Sequence, residues 1–239
     1  SVALNSVVHD TAHVTGGVSG FPIPAISFTL TSNYTGTCAA GAAVALDGID
    51  AGNGDPRTVD SAALAAGAYA YRAVVASDSN YDGATGVCEP FSVGKANTTV
   101  VTTIHNGNPA TDIGAPNVST VPAGSTVHDK AAVSGQVGGI AITGNVTFTW
   151  FTTSDQCTGA STSAGTVALD ASGVAHPSTS FGPLPAGLRS FRATYNGDDN
   201  YSASTSACEP LSITLVPSAI ATDIHDAAHT VQPLNPPNG

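Results

Sequence analysis

Phe191-Arg192-Ala193-Thr194-Tyr195-Asn196-Gly197-Asp198-Asp199-Asn200-Tyr201 reads as one strand running into a tight turn. Phe191, Ala193 and Tyr195 alternate with Arg192 and Thr194, and a period of two puts one set in a core and the other at the surface. Asn196-Gly197-Asp198-Asp199 then supplies turn formers. Upstream, Val146, Phe148 and Trp150 alternate in the same way with Thr147, Thr149 and Phe151. Trp150 falls among the core residues, so it reads as a core tryptophan rather than a platform for sugars. Extending outward, seven strands are expected at about 98–105, 126–137, 144–152, 165–169, 174–181, 188–195 and 205–214. No segment carries a 3.6-residue apolar period. The fold expected is all-β, a sandwich of two sheets.

The pattern occurs twice. Ser6-Val7-Val8-His9-Asp10 matches Ser125-Thr126-Val127-His128-Asp129, and Val44-Ala45-Leu46-Asp47 matches Val167-Ala168-Leu169-Asp170. Ala65-Ala66-Gly67 matches Pro185-Ala186-Gly187, Asn80-Tyr81 matches Asn200-Tyr201, and Cys88-Glu89-Pro90 matches Cys208-Glu209-Pro210. The offsets run from 119 to 123 and settle at 120, as small loop insertions would produce. A further match joins Thr103-Ile104-His105-Asn106 to Asp223-Ile224-His225-Asp226. The strand that opens the second repeat therefore recurs at Ser218-Ala219-Ile220-Ala221-Thr222-Asp223-Ile224-His225, while the first repeat has no opening strand of its own. The domains expected are 1–97, 98–217 and 218–239, the last being the start of a following repeat. His105 precedes His128 by 23 residues, and the same spacing results if Gly239 is followed by Ser1. One period of a two-repeat unit is thus expected, either a window of a longer array or a subunit whose last strand completes its neighbour. The chain contains no Met, so a mature or excised segment is expected.

Ser125-Thr126-Val127-His128-Asp129-Lys130, Gly144-Asn145-Val146-Thr147-Phe148 and the stretch from Phe191 to Tyr201 together resemble bacterial Ig-like repeats of large surface proteins. The resemblance covers both repeats and is clearest in the second. It implies tandem immunoglobulin-like β-sandwich domains of about seven strands each, linked head to tail and serving as stalks, spacers or adhesin arms. The first repeat departs from it: Ala76-Ser77-Asp78-Ser79-Asn80-Tyr81 replaces the turn, and a Gly- and Asp-rich loop is added at 47–57.

Composition narrows the function. The chain is 41% hydrophobic and 10% charged, with a net charge of -11 and only six basic residues. Nothing neutralises phosphates, so nucleic acid is not an expected partner. No apolar run is long enough to span a bilayer, so direct membrane insertion is not expected either. Four cysteines allow three pairings, and repetition favours Cys38–Cys88 and Cys157–Cys208. Closing loops of this size stabilises by about 4 kcal/mol in the chain-entropy model, and disulfides imply an oxidising, extracellular or cell-surface location.

Candidate sites are sparse. His9-Asp10 and His128-Asp129 could suggest a histidine base, but neighbours on a strand face opposite ways. His105, His225, His13 and His229 lie near the junctions and read as surface or interface groups, with a transition-metal site as the lesser alternative. Asp78, Asp82, Asp198 and Asp199 sit in turns and are the calcium candidates, since calcium takes oxygen ligands; no other cofactor is expected. The loop bearing Asp47, Asp50, Asp55 and Asp60 is a further acidic group. Sequons at Asn33, Asn97, Asn117, Asn145 and Asn200 are possible glycosylation sites. No nucleophile, base and oxyanion site assemble, so an enzyme is not expected. The function expected is a structural subunit of an extracellular filament or stalk whose partner is its own head-to-tail neighbour. The alternative is an adhesin or carbohydrate-binding arm that meets cell-surface glycans through the 47–60 region.

Overall fold

The computed structural model describes residues 1–38, 41–49, 55–112, 114–225 and 227–228. The first repeat contains β1 (Ile26–Ser32), β2 (Ala42–Val44), β3 (Leu46–Ile49), β4 (Pro56–Thr58), β5 (Gly67–Val75), β6 (Ala84–Thr85) and β7 (Glu89–Val93). The second contains β8 (Thr99–Asn106), β9 (Thr120–Pro122), β10 (Val127–Ser134), β11 (Asn145–Phe151), β12 (Ser161–Ala168), β13 (Val174–Ala175), β14 (Gly187–Tyr195), β15 (Ser204–Thr205) and β16 (Glu209–Thr214). No helix long and apolar enough to cross a membrane occurs among the described residues.

The second repeat is a sandwich of two sheets. One runs β12-β11-β14-β16-β9 with β15 added to β14, and the other runs β13-β10-β8. Alternation in β11 and β14 builds the space between them. The register sets Val146 opposite Tyr195, Phe148 opposite Ala193 and Trp150 opposite Phe191, and all six are buried. Directly opposed side chains on one face are the unit of sheet stabilisation. Trp150 packs between Phe181 and Phe191, with ring centroids 4.9 and 4.5 Å away. Val100, Ile104, Val127, Ala131 and Val133 close the core from the other sheet. Phe151 alternates outward yet is also buried, because the Arg192 guanidinium lies 6.0 Å over its ring.

Three strands differ from the sequence expectation. The ladder expected across 174–181 stops after Ala175, since Pro177 has no N–H to give; the Ser178 hydroxyl accepts from Asp129 N instead, at 2.8 Å. The strand expected across 205–214 is split around Cys208 into β15 and β16. β9 was not expected; it is short, contains Pro122 and runs parallel to β16.

In the first repeat, β1 lies between β2 and β5, and β5 also carries β6 and β7. β3 and β4 form a separate pair. The segment 6–14 holds the place of β10. On one side it bonds to β4: Thr58 N donates to Asp10 O at 2.9 Å and Ala12 N to Pro56 O at 3.1 Å. On the other side, where β10 has β8 for a neighbour, the described residues provide no strand. The repeats meet at the linker. Ala96 bridges in parallel to Tyr201, and Ala66 N donates to Asn200 Oδ1 at 3.0 Å.

Both bridges join cysteines within one repeat, Cys38 to Cys88 and Cys157 to Cys208, with Cα separations of 5.9 and 5.6 Å.

Candidate functional site

Ladder register creates a cluster that spacing alone conceals. β8 and β10 pair so that His105 stands directly opposite His128. β13 pairs with β10 through Ala131 and Ala175, which places His176 diagonal to His128 on the same face, within reach of long or aromatic side chains. The connection after β8 returns over this face and delivers Asp112. Asp112 Oδ1 then lies 3.1 Å from His128 Nε2, 3.5 Å from His176 Nε2 and 3.7 Å from His105 Nδ1. His128 Nε2 and His176 Nε2 are 3.2 Å apart. The rings meet edge-on or tilted, with centroids 5.1 to 5.5 Å apart.

The cluster is sealed: His105 and His128 have 0% exposure, and the His176 side chain has 4%. Burial lowers the pKa of all three imidazoles, and for His105 and His176 the nearby Lys130 charge adds to that; Asp112 pulls the other way. They are therefore neutral at pH 7 and keep a lone pair. Both nitrogens of His105, Nδ1 of His128 and Oδ2 of Asp112 have no hydrogen-bond partner. Three neutral imidazoles and a carboxylate are together a set of electron-pair donors. This is the one group of three or more potential metal ligands among the described residues, its donor atoms all lying within 4.8 Å of one another.

Sequence reasoning named His105 and His128 but sorted each by its repeat counterpart, His225 and His9, and did not join them. The available signal was the pairing of the two expected strands at 98–105 and 126–137. Asp112 and His176 carried no spacing signal at all.

The other expected residues take different places. Asp129 faces away from His128 and into the sandwich, where Lys130 N and Thr103 N donate to its Oδ1 at 2.8 and 3.2 Å. Burial and the nearby Glu209 hold its pKa well above the carboxylate range. In the first repeat, burial and Glu89 likewise raise Asp10 to about 6. His9 lies 3.3 Å from Asp60, and His13 lies 2.7 Å from Asp55. Arg57 bridges Asp47 and Asp60 at 3.4 and 2.7 Å. Asp50 and His229 fall outside the described residues.

The calcium candidates are divided between the repeats. Asp198 Oδ1 accepts from Asn200 N and Tyr201 N, and its Oδ2 from Thr143 N and the Thr143 hydroxyl, all at 2.8 Å. Asp78 Oδ1 accepts from Asn80 N and Tyr81 N at 2.7 and 2.8 Å. Both close turns. Asp82 and Asp199 are exposed. Among the sequons, Asn33, Asn97 and Asn145 are exposed, while Asn117 Oδ1 accepts from Ile104 N at 2.9 Å and Asn200 Oδ1 holds Ala66.

Residues 218–225, the expected assembly strand, show the sharpest contrast between the repeats. In β8, Val100, Ile104 and His105 have 6%, 0% and 0% exposure. Their counterparts 120 residues on are Ile220, Ile224 and His225. Ile220 and Ile224 are 90% and 82% exposed, His225 is exposed, and residues 215–224 belong to no ladder.

Residues 114–215 match the family described as bacterial Ig-like domain, group 3. No curated protein matches the chain, and no solved structure does. The sandwich of β8 to β16, its register and this match agree: the second repeat is a bacterial Ig-like domain of group 3.

Proposed function

We propose that the chain is a non-catalytic structural subunit of an extracellular filament or cell-surface stalk, in which residues 218–225 of one copy complete the first repeat of the next. One observation carries the reading. An alternating strand whose apolar residues are buried in the second repeat recurs with those residues in solvent, and the first repeat offers an edge with no strand beside it among the described residues. Main-chain bonds would supply affinity, and the Ile220 and Ile224 pockets specificity. By the register of β8 on β10, Ile224 would stand opposite Asp10 and His225 opposite His9. A donor that enters a different copy is heterologous and makes an open filament when the rotation does not close. Two disulfides suit such a fibre outside the cell.

The test uses the whole chain. Light scattering and negative-stain microscopy should show end-to-end polymers, and Ile220→Asp with Ile224→Asp should leave monomers. Boiled in SDS with reductant, fibres from the natural source should release a species near 23.5 kDa. A wild-type chain that stays monomeric at high concentration sinks the subunit reading and leaves the surface-arm alternative, with the 47–60 region as the place to look for glycan binding. A reduced species many times larger would put the donor strand in the same polypeptide rather than in a second copy.

A further inference from the structure

The His105, Asp112, His128 and His176 cluster does not depend on assembly, because all four residues belong to one repeat. Without an occupant it is poorly satisfied. The 3.2 Å contact between His128 and His176 can use one proton, and Asp112 Oδ1 can accept from one or two rings. His105, fully buried, has nothing for either nitrogen. Buried polar groups almost always have partners, and an orphan asks for an unseen occupant.

Spacing indicates which kind. Four donors arranged tetrahedrally at the 2.0–2.1 Å usual for zinc with nitrogen or carboxylate oxygen stand roughly 3.3 Å from one another. Four of the six pairwise separations are 3.1, 3.2, 3.5 and 3.7 Å, and the other two, from His105 to the other rings, fall within the 4.8 Å that spans the whole group. A cation meets all four donors at once. Imidazole is a borderline ligand that suits zinc, copper and nickel, whereas calcium and magnesium need cages of oxygen. Lys130 is the nearby positive charge, and the Asp112 carboxylate offsets it.

We infer that His105 Nδ1, His128 Nε2, His176 Nε2 and Asp112 Oδ1 bind one divalent first-row transition-metal ion in a closed tetrahedral site of the zinc type. Four protein ligands leave no open position, which is the arrangement of structural rather than catalytic zinc. The ion would tie β8, β10, the end of β13 and the connection after β8 at one point. In the second repeat it would lock the opening strand in place, a role distinct from strand donation between copies.

The full 239-residue chain, stripped with a chelator, should be equilibrated with zinc chloride and exchanged into metal-free buffer. Mass spectrometry should find about one zinc per chain, and the ion should raise the melting temperature reversibly. Cobalt(II) should give the intense visible bands of tetrahedral coordination, a readout that needs no mutation. His176→Gln and Asp112→Asn should each weaken binding by more than about 100-fold, since outer-shell changes alone cost 10–100-fold. Both should keep the wild-type circular dichroism in chelator. A His9→Gln, His225→Gln variant should bind as wild type does. Retention of copper(II) in preference to zinc would support the same donor set, because copper leads the affinity order. The inference fails if stripped wild type takes up no more zinc or copper than His176→Gln, if cobalt shows no tetrahedral spectrum, or if uptake is lost only in the His9, His225 variant.

Discussion

Asp198 accepts four hydrogen bonds of 2.8 Å from a turn that would otherwise leave Thr143, Asn200 and Tyr201 unsatisfied. Burial pushes its pKa up, but those bonds outweigh it and the net shift is downward. Its contribution is therefore present above the ordinary carboxylate range and is lost as pH falls through the lowered value. Asp198→Ala should destabilise the second repeat by roughly 1–3 kcal/mol at pH 7, with the gap closing in acid; urea titrations at pH 7 and pH 3 would measure both. Asp10 behaves in the opposite sense. Its pKa in the folded chain, about 6, lies above the ordinary value of 3.8, so the folded state holds the proton more tightly than the unfolded. The stability it contributes is complete below about pH 4 and is lost as pH rises through about 6. Asp10→Asn should gain about 1–2 kcal/mol over wild type at pH 7.5 and nothing at pH 4, a difference that isolates this one group. The sequence showed both aspartates but not their roles. The Asn-Gly-Asp-Asp run announced a turn, whereas burial beside Glu89 depends on tertiary packing that no local pattern encodes.

At the level of strands, alternation was enough to place β8, β10, β11 and β14, because buried apolar residues recur in each at every second or fourth position. It failed where the ladder is interrupted: at Pro177, at Cys208, and at β9, whose three residues are too few to show a period. The cluster of His105, Asp112, His128 and His176 follows the same division. Two members come from long paired strands and could be placed from register, while the others come from the end of a two-residue strand and from a loop. The disulfides were legible because the cysteines repeat. Cys157 lies in the connection after β11 and Cys208 immediately before β16, the two strands that flank β14. Replacing both with Ser should cost about 2–4 kcal/mol in chemical denaturation of the second repeat. Phe191→Ala, which empties the space beneath Trp150, should cost roughly 3–5 kcal/mol.

Across the whole molecule, two repeats of one pattern are in unequal states. The second has its opening strand; the first has the edge, and among the described residues no strand lies beside it. Residues 98–217 expressed alone should therefore unfold cooperatively, while residues 1–97 alone should be weakly structured by circular dichroism. A peptide of residues 216–228 added to the latter should raise its melting temperature, and the same peptide with Ile224→Asp should not. Identical melting with and without peptide would show that the first repeat does not need the strand. The register on which this rests was readable from the recurrence of Ile104-His105 at Ile224-His225, since an offset of 120 keeps the face unchanged.

The parallel pairing of β9 with β16 has a mechanical consequence. A pull along the chain draws on β8 first, and once β8 leaves β10 the load passes to β9 at one end and β16 at the other, dragging these two strands past each other along their length. Their slanted bonds are then loaded together in shear and cannot be peeled open one at a time. The first repeat has a smaller version, in which Val2 runs parallel to Val93 and exchanges bonds of 2.8 and 2.9 Å with Ser92 and Gly94. A string of such units would resist stretching far better than its modest core would suggest. It would give way abruptly, one repeat at a time, and each disulfide would cap the length of chain released.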